Sequence, residues 1–339
     1  MHRILLTHTP ETLHKYYGPK AVAALQAIAE VRFNHLDREL TLDELVAASR
    51  DCQIIISYRQ TAAPAQLFRM LPDLLAFLRC AIDIRNIDVA AASAQGILVA
   101  NASAAEFMVS VSEWTIGAMI DLSRGLTRAA EAYHAGTVPG TEMGRELRGS
   151  ALGVIGYGQI SRTLCRFAAA FEMRILVCDP YAVTQEAGIE RVDLPELLAA
   201  ADYVVCLAIA NDSTENLMND ACFAAMKRGA FFINPSRGNL VDEAALLRAL
   251  DGGRLAGCAM DVGRAPDQMP SPALARHPLV IATPHIGGLT PAAIGPKALE
   301  SVEQAAAVLQ GRIPVGAINA TQATRLARRT DQPSEGSKP

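Results

Sequence analysis

Short apolar runs alternate with helical patterns over the first hundred residues. Residues 53–57 (QIIIS) form a continuous apolar run, which is typical of a strand buried on both faces of a sheet. Thr41, followed three residues later by Glu44, has the spacing of a capping box and predicts a helix start. Further strands are predicted at 4–6, 75–79 and 97–100, and a helix at 19–30. This alternation predicts a parallel sheet.

The second part of the chain repeats the alternation after a helical interruption. Residues 104–135 have a helical apolar period with no strand signal, which predicts two consecutive helices. From residue 151 onward, strands are predicted at ALGVI, RILVC, YVVCL, AFFIN and LAGCAM, and a last helix at 291–309. We therefore predict an α/β fold with two doubly wound, Rossmann-like parallel-sheet domains and an active-site cleft between them.

Composition narrows the class of protein. The chain has 339 residues, 50% of them hydrophobic, and a net charge of -4. This length exceeds what one core usually fills, and the charge argues against a nucleic-acid or membrane-surface binder. The seven cysteines are scattered and no His or Cys spacing suggests a metal site. With no transmembrane run and no signal peptide at the start, we expect a cytoplasmic protein with a disordered tail over 321–339.

The turn after ALGVI carries a dinucleotide fingerprint. The run Gly156-Tyr157-Gly158-Gln159-Ile160-Ser161 follows a predicted strand and opens a predicted helix, which is the context such a motif requires. Gly156 allows a tight turn, and Gly158 lets the backbone approach a pyrophosphate at the helix N-terminus. Ser161 stands where the third glycine is usual. The alternative is that these glycines only make a turn.

An acidic residue follows at the expected distance. Asp179 ends the strand RILVC, 21 residues after Gly158. A carboxylate there accepts hydrogen bonds from a ribose diol and repels a 2′-phosphate, which favours NAD over NADP. The alternative is that Asp179 only caps the next segment.

Two further segments place chemical groups beyond strand ends. Arg237 lies in Asn234-Pro235-Ser236-Arg237-Gly238, after AFFI, and His285 lies in TPHIGG, after LVIA. An arginine can hold a substrate carboxylate and polarise the adjacent carbonyl. A histidine can exchange a proton with the carbonyl oxygen while hydride moves between carbon and a nicotinamide.

From about 53 to 319 the sequence resembles the D-isomer-specific 2-hydroxyacid dehydrogenase family, which includes phosphoglycerate, glycerate and lactate dehydrogenase-like proteins. The resemblance rests on GYGQI, Asp179, NPSRGNLVDEAAL, LAGCAMDV and TPHIGG. It implies that Arg237 binds and activates the substrate, that His285 is the acid/base, and that Asp261 meets the nicotinamide carboxamide. The remaining predicted coenzyme contacts are Gly156, Gly158, Gln159, Ile160, Asp179, Asn211, Thr214, Pro235, Ser236 and Gly287.

The resemblance also implies a domain arrangement and an assembly. It predicts a discontinuous substrate domain from 1–103 plus 290–320, and an NAD-binding domain over 104–289. The helices after Ala104 would form a homodimer.

The chain departs from the family pattern near the acid/base. The family usually has a Glu just before a Pro in the loop after Asp261, and this Glu hydrogen-bonds the catalytic His. Here Ala265 precedes Pro266. Asp267 is the nearest carboxylate and is a candidate for that role. The alternative is a solvated turn residue.

A second departure lies in the substrate loop. Ala81, Ile82 and Asp83 stand where the family has a Gly-Val-Gly turn that binds the substrate carboxylate. We expect the Asp83 side chain to point outward and to cap the turn that follows it. The alternative is that it points into the cleft, where it would repel a 2-oxo acid or hydrogen-bond a polar group on an unusual substrate. Tyr58 follows a strand and is a further candidate for the cleft lining. The alternative is an ordinary loop residue.

These observations predict an NAD-dependent oxidoreductase that interconverts a D-2-hydroxy acid and its 2-oxo acid. The departures at Ala265 and Asp83 keep a second class open, which is an NAD-responsive binding or regulatory protein on the same scaffold. A third possibility is a related NAD enzyme for another small anion, such as formate or phosphite, since fold alone does not set function.

Overall fold

The computed structural model describes residues 2–102, 107–182, 186–265 and 268–330. The strands within these ranges are Arg3–Leu6 (β1), Glu30–Phe33 (β2), Ile54–Ser57 (β3), Ala76–Arg79 (β4), Leu98–Asn101 (β5), Ala151–Ile155 (β6), Arg174–Cys178 (β7), Ile189–Arg191 (β8), Tyr203–Cys206 (β9), Ala230–Asn234 (β10), Leu255–Met260 (β11) and Val280–Ala282 (β12).

The α-helices of the same ranges follow the strands in alternation, as the sequence pattern predicts. They are Pro10–Tyr16 (α1), Gly18–Gln26 (α2), Leu42–Ser49 (α3), Ala65–Met70 (α4), Val89–Ala94 (α5), Phe107–Arg124 (α6), Leu126–His134 (α7), Gln159–Ala170 (α8), Leu194–Ala200 (α9), Asp220–Ala225 (α10), Glu243–Asp251 (α11), Pro272–Ala275 (α12), Pro291–Leu309 (α13) and Thr324–Thr330 (α14).

The chain divides into two compact units, which differ from the predicted domains by a few residues at the first boundary and by the tail. The first unit comprises Met1–Glu106 and Thr290–Pro339, and the second is Phe107–Leu289. No helix in the described residues is long and apolar enough to cross a membrane.

The first unit is built on a five-stranded sheet in the order β2-β1-β3-β4-β5, with every pair parallel. All four residues of β3 and of β4 are buried, because helices cover both faces of the sheet. Helix α3 begins at the predicted capping box: the Thr41 hydroxyl accepts from the Glu44 N–H, and the Glu44 carboxylate accepts from the Thr41 N–H.

The second unit is built on a seven-stranded parallel sheet in the order β12-β11-β10-β9-β6-β7-β8. The connections run in opposite directions from β6, toward β7 on one side and β9 on the other. In such sheets the crevice beyond the carboxyl ends of these two strands is where ligands bind. The prediction of two doubly wound, parallel-sheet domains is confirmed.

Two predictions about the first unit are wrong. The helix predicted over 19–30 ends at Gln26, and residues 30–33 form the edge strand β2 instead. Its exposed and half-buried residues give a weak strand pattern. The tail is also not disordered over 321–330, because α14 lies there, with Leu326 1% exposed and packed in the core of this unit. The rest of the predicted tail, 331–339, lies outside the described residues.

Candidate functional site

The turn between β6 and α8 has the geometry that the fingerprint predicts. Gly156 has a φ of +88°, and an added Cβ would lie 2.7 Å from a backbone oxygen of the loop after β9. Only glycine fits both the dihedral angle and the space. Gly158 faces open space, since a Cβ there would meet no atom within 4 Å.

The first turn of α8 presents backbone N–H groups to that open space. The Arg162 N–H is bonded to the Gly158 carbonyl at 3.1 Å, so the amides of Gln159 and Ile160 precede the first bonded turn. Free amides and the helix dipole together attract an anionic group. The residues present therefore fit the pyrophosphate of a dinucleotide.

Two serines hold this helix in place. The Ser161 side chain is buried and its hydroxyl donates to the Gly156 carbonyl at 2.7 Å. The Ser112 hydroxyl on α6 donates to the Ile160 carbonyl at 3.2 Å. The serine at the third fingerprint position therefore braces the turn with a hydrogen bond that a glycine could not make.

Asp179 lies at the end of β7 and binds backbone amides of the turn. Its Oδ2 accepts from the Tyr157 N–H at 2.7 Å, and its Oδ1 accepts from Tyr181 and Ala182 at 2.8 and 3.0 Å. Partial burial acts to raise the pKa of the Asp179 carboxyl, but these three donors outweigh burial and lower it. The group is therefore a stable carboxylate beside the fingerprint, and capping and ribose binding are compatible roles.

The predicted contacts Asn211 and Thr214 lie in the turn after β9, the strand next to β6. Asn211 Oδ1 accepts from the Ser213 N–H at 2.9 Å, and the Thr214 hydroxyl donates to the Ile209 carbonyl at 2.7 Å. Both side chains thus shape a turn at the same edge of the sheet as the fingerprint.

Arg237 lies in a rigid turn after β10. The buried Asn234 bridges this turn: its Oδ1 accepts from the Ser236 N–H at 3.0 Å, and its Nδ2 donates to the Arg237 carbonyl at 2.9 Å. The Ser236 hydroxyl donates to the Ala208 carbonyl at 3.1 Å, and Pro235 is buried. Arg237 itself is half-buried, and its Nη1 donates to the Ser236 carbonyl at 2.7 Å.

His285 lies in the loop after β12, on a strained backbone. Its φ is +57°, a left-handed conformation that is unfavourable for a residue with a Cβ. The loop is held by Asp261, whose carboxylate accepts from the Thr283 hydroxyl at 2.6 Å and from the Ile286 and Gly287 N–H groups at 2.8 Å each. Asp261 is 2% exposed, and with these three bonds it positions the histidine loop.

Arg237 and His285 follow β10 and β12, which are separated in the sheet only by β11. Neighbouring strands lie about 4.8 Å apart, so the two strand ends are about 10 Å apart. Asp261 directly follows β11 between them. The sheet thus places an arginine, a carboxylate and a histidine at consecutive strand ends on one edge.

The loop after Asp261 is shaped by tight backbone packing. An added Cβ on Gly238 would lie 2.1 Å from the carbonyl oxygen of Gly263, so the Arg237 turn and this loop touch through their backbones. The Gly263 N–H donates to the Gln268 carbonyl at 3.0 Å. Pro266 and Asp267 lie outside the described residues. The role of Asp267 as a partner of His285 therefore stays a prediction.

In the first unit, a buried arginine organises the predicted substrate residues. Arg79, fully buried at the end of β4, donates to the carbonyls of Tyr58 and Thr61 and to Asn86 Oδ1, the last two at 2.8 and 2.7 Å. Burial lowers the pKa of Arg79 to about 10, which leaves it charged at neutral pH. The Tyr58 side chain is 4% exposed, and its hydroxyl accepts from Arg59 Nε at 3.3 Å.

The substrate loop after β4 is closed by an ion pair. Asp83 accepts from the Arg85 N–H at 3.0 Å and from Arg85 Nη2 at 2.8 Å, so its charge is compensated within the loop. Its side chain is only 14% exposed. Ala81 and Ile82 precede it, and the Ile82 carbonyl accepts from Asn101 Nδ2 at 2.9 Å. Asp83 therefore binds its own loop: its carboxylate caps the turn through the Arg85 N–H, and the ion pair with the Arg85 guanidinium is an addition that the sequence did not indicate.

Sequence reasoning missed three supporting residues. Arg79 is a charge at the end of the apolar run LLAFLR and is followed by further apolar residues, a pattern that indicates a buried, bonded arginine. Thr283 and Ser112 carry no such signal, because a hydroxyl in a loop or helix is common.

The two sheets and the glycine turn define a dinucleotide-binding α/β protein. A family model described as "D-isomer specific 2-hydroxyacid dehydrogenase, NAD binding domain" matches residues 116–287. The chain belongs to this family, as its sequence motifs predict.

Curated and solved relatives agree with this assignment. The chain is 32% identical over 308 residues to D-3-phosphoglycerate dehydrogenase 3, chloroplastic, of Arabidopsis thaliana, covering 89% of this chain and 52% of that protein. It thus spans about half the length of this curated relative. Among solved structures, one D-isomer specific 2-hydroxyacid dehydrogenase from Polaromonas has a TM-score of 0.86 at 24% identity, over 94% of this chain and 99% of that one.

A third similar protein is an acyclic imino acid reductase solved in complex with NADPH and D-Arg. Its TM-score is 0.81 at 22% identity, covering 93% of this chain and 99% of that chain. At this identity the likeness shows a shared fold.

Proposed function

We propose that this protein is an NAD-dependent oxidoreductase that interconverts a D-2-hydroxy acid and its 2-oxo acid. The observation that carries the proposal is the placement of Arg237, Asp261 and His285 at three consecutive strand ends of the sheet that holds the dinucleotide turn. Family membership supports the same reaction class.

Each strand-end group has a distinct task in this proposal. Arg237 binds the substrate carboxylate and polarises the adjacent carbonyl by charge-assisted hydrogen bonds. His285 gives a proton to the carbonyl oxygen during reduction and takes it back during oxidation. Asp261 fixes the loop that presents His285. The bound nicotinamide supplies or accepts the hydride.

The coenzyme would be held by Gly156, Gly158 and the first amides of α8 at the pyrophosphate. Asp179 would face the ribose and favour NAD. Further contacts are proposed for Gln159, Ile160, Asn211, Thr214, Pro235, Ser236, Asp261 and Gly287. The open space beside Gly158 supports this assignment, because the turn leaves room for a phosphate against the backbone.

On the substrate side, we propose that Tyr58, Ala81, Ile82 and Asp83 of the first unit contribute to the substrate site. The hydrogen bonds that Arg79 makes to the Tyr58 loop support a fixed lining there. The ion pair with Arg85 argues against repulsion of a 2-oxo acid by Asp83. Asp267 is the proposed carboxylate partner of His285.

We further propose a homodimer formed through the helices that follow Ala104. Large apolar side chains exposed on and after α6 support a buried interface here, among them Val109, Leu126, Tyr133 and Met143. A cytoplasmic location is proposed because all seven cysteines are free, as in a reducing compartment.

One assay tests the reaction. The full chain is incubated with NADH and a panel of 2-oxo acids, and oxidation of NADH is followed at 340 nm for the wild type and for His285→Gln. Turnover in the wild type that falls by about 10²–10⁴-fold in the variant is the expected result. Tight NADH binding without turnover on any 2-oxo acid would favour the binding or regulatory protein instead.

A further inference from the structure

We propose that Glu186 is a second coenzyme-selecting carboxylate, which acts with Asp179 to disfavour a 2′-phosphate on the adenosine ribose. The inference rests on the dinucleotide binding proposed above. Glu186 lies outside the fingerprint and forms an ion pair beside the turn.

Glu186 binds two residues of the fingerprint region. Its Oε2 accepts from the Tyr157 hydroxyl at 2.8 Å, and its carboxylate forms an ion pair with Arg162 on α8. The guanidinium of Arg162 also lies over the Tyr157 ring, 4.5 Å from its centroid. Arg162 is therefore held by both a carboxylate and an aromatic face.

The same tyrosine connects this pair to Asp179. The Tyr157 N–H donates to Asp179 Oδ2 at 2.7 Å, so one residue touches both carboxylates. A second guanidinium is present as well, since Arg191 Nη2 donates to the backbone carbonyl of Asp179 at 3.0 Å. Two carboxylates and two guanidiniums thus surround the end of β7.

The sign of the charge at this strand end decides whether NAD or NADP is favoured. A carboxylate there accepts from the ribose hydroxyls of NAD, whereas a nearby arginine accommodates the 2′-phosphate of NADP. The two carboxylates and two guanidiniums of the cluster balance in number, and Arg162 is bound to the Glu186 carboxylate. Replacing the Glu186 carboxylate by an amide leaves two guanidiniums with one carboxylate, and Arg162 then has no carboxylate partner in the cluster. The Tyr157 ring would still hold the guanidinium in place.

The Glu186→Gln substitution tests the contribution of the Glu186 charge to coenzyme selection. The glutamine keeps an acceptor for the Tyr157 hydroxyl and removes only the charge. The pair is 41% and 45% exposed, and exposed ion pairs contribute about 0–1 kcal/mol, so the variant is expected to fold. Glu190→Gln is the matched control, because Glu190 pairs with Arg174 at 2.7 Å with 46% exposure and touches no residue of the turn.

Isothermal titration of the full chain with ADP and with 2′,5′-ADP measures the selection directly, without turnover. In Glu186→Gln we expect 2′,5′-ADP to bind about five- to tenfold more tightly than in the wild type, with ADP affinity unchanged within about twofold. The gain should be lost in Glu186→Gln/Arg162→Ala and absent in Glu190→Gln. NADPH and NADH titrations should show the same change of ratio.

Failure of the Glu186 inference and failure of dinucleotide binding give different results. If ADP binds and the ratio of the two affinities is unchanged in Glu186→Gln, or rises equally in Glu190→Gln, Glu186 does not select the coenzyme and the proposed reaction is unaffected. If the wild type binds neither nucleotide nor NADH, dinucleotide binding itself is wrong, and this inference falls with it.

Discussion

Asp261 Oδ2 and the backbone N–H of Gly287 are joined by a hydrogen bond of 2.8 Å, which closes the base of the loop that carries His285. The loop needs this support, because His285 has a φ of +57° and left-handed backbone costs about 1 kcal/mol or more for a residue with a Cβ. The strain at the proposed acid/base is thus balanced by a buried carboxylate that binds two neighbouring amides.

Asp261→Asn should therefore disturb the reaction more than the fold. The amide keeps one acceptor oxygen but presents an NH2 group to a backbone N–H, so one of the two loop amides loses its partner. We expect kcat to fall by about 10- to 100-fold, the cost of one or two lost charge-assisted hydrogen bonds. Steady-state kinetics on the wild type and variant measure the change.

Asp202→Asn is the control for Asp261→Asn. Asp202 also uses a carboxylate to accept a backbone N–H, from Ala151 at 2.9 Å, but it lies before β9 rather than after β11. It should leave kcat within about twofold. An equal loss in both variants would mean that general stability, rather than the His285 loop, controls the rate.

The two fingerprint glycines should respond differently to alanine. Gly156→Ala puts a Cβ 2.7 Å from a backbone oxygen at a φ of +88°, so we expect a stability loss of about 1–3 kcal/mol. Gly158→Ala meets no protein atom and has an ordinary φ of -82°, so its melting temperature should not change. The methyl group would instead occupy the space that we assign to the pyrophosphate, and the Kd for NADH should rise at least about tenfold.

Thermal melts and NADH titrations of both alanine variants separate the two effects. Gly140→Ala, at a glycine with no atom within 4 Å of an added Cβ and outside the turn, is the control and should change neither quantity. Unchanged NADH affinity in Gly158→Ala would place the coenzyme elsewhere.

Much of the second unit could be predicted from sequence because its central strands are short, mostly apolar runs bounded by turn residues. ALGVI and AFFIN are buried at every position, so their pattern alone identifies central parallel strands. The Arg237 and His285 turns could be located because they directly follow such strands.

Two kinds of feature could not be predicted from sequence, namely an exposed edge strand and the polar partners within and between loops. The edge strand β8 reads IER and has two exposed residues, so its pattern resembles a loop. The Asp83–Arg85 pair and the Asp261–Gly287 bond arise only once the loops are folded. Periodicity carries no information about such polar partners.

Helix α14 could not be predicted from sequence either, and its packing leads to a prediction about stability. Its sequence TRLARRT is polar and reads as a tail, yet Leu326 is 1% exposed and Arg325 Nη1 donates to the carbonyls of Leu71 and Leu74 at 2.7 and 3.0 Å. Leu326→Ala should lower the free energy of unfolding of the first unit by about 2–4 kcal/mol. Urea denaturation measures it, with Leu36→Ala, at a 39% exposed leucine, expected to cost under about 1 kcal/mol. Equal, small losses would show that α14 does not contribute to the core.

A buried histidine in the first unit should make stability depend on pH. His8 is 1% exposed between the rings of Tyr17 and Tyr58, each 5.2 Å away by centroid, and within the described residues neither ring nitrogen has a hydrogen-bond partner. Burial, and secondarily the charge of Arg79, lowers the pKa of His8 from 6.5 to about 3.

The folded state therefore holds His8 neutral, while the unfolded chain takes up a proton below pH 6.5. Between pH 6.5 and 3 the unfolded state binds more protons, so stability falls as the pH falls, by about 2 kcal/mol at pH 5 from this residue. His8→Phe should lose that part of the pH dependence between pH 7.5 and 5, whereas His14→Gln, at an exposed position, should retain it. Urea unfolding at the two pH values measures each difference. If wild type and His8→Phe lose equal stability on acidification, His8 is not the group that titrates.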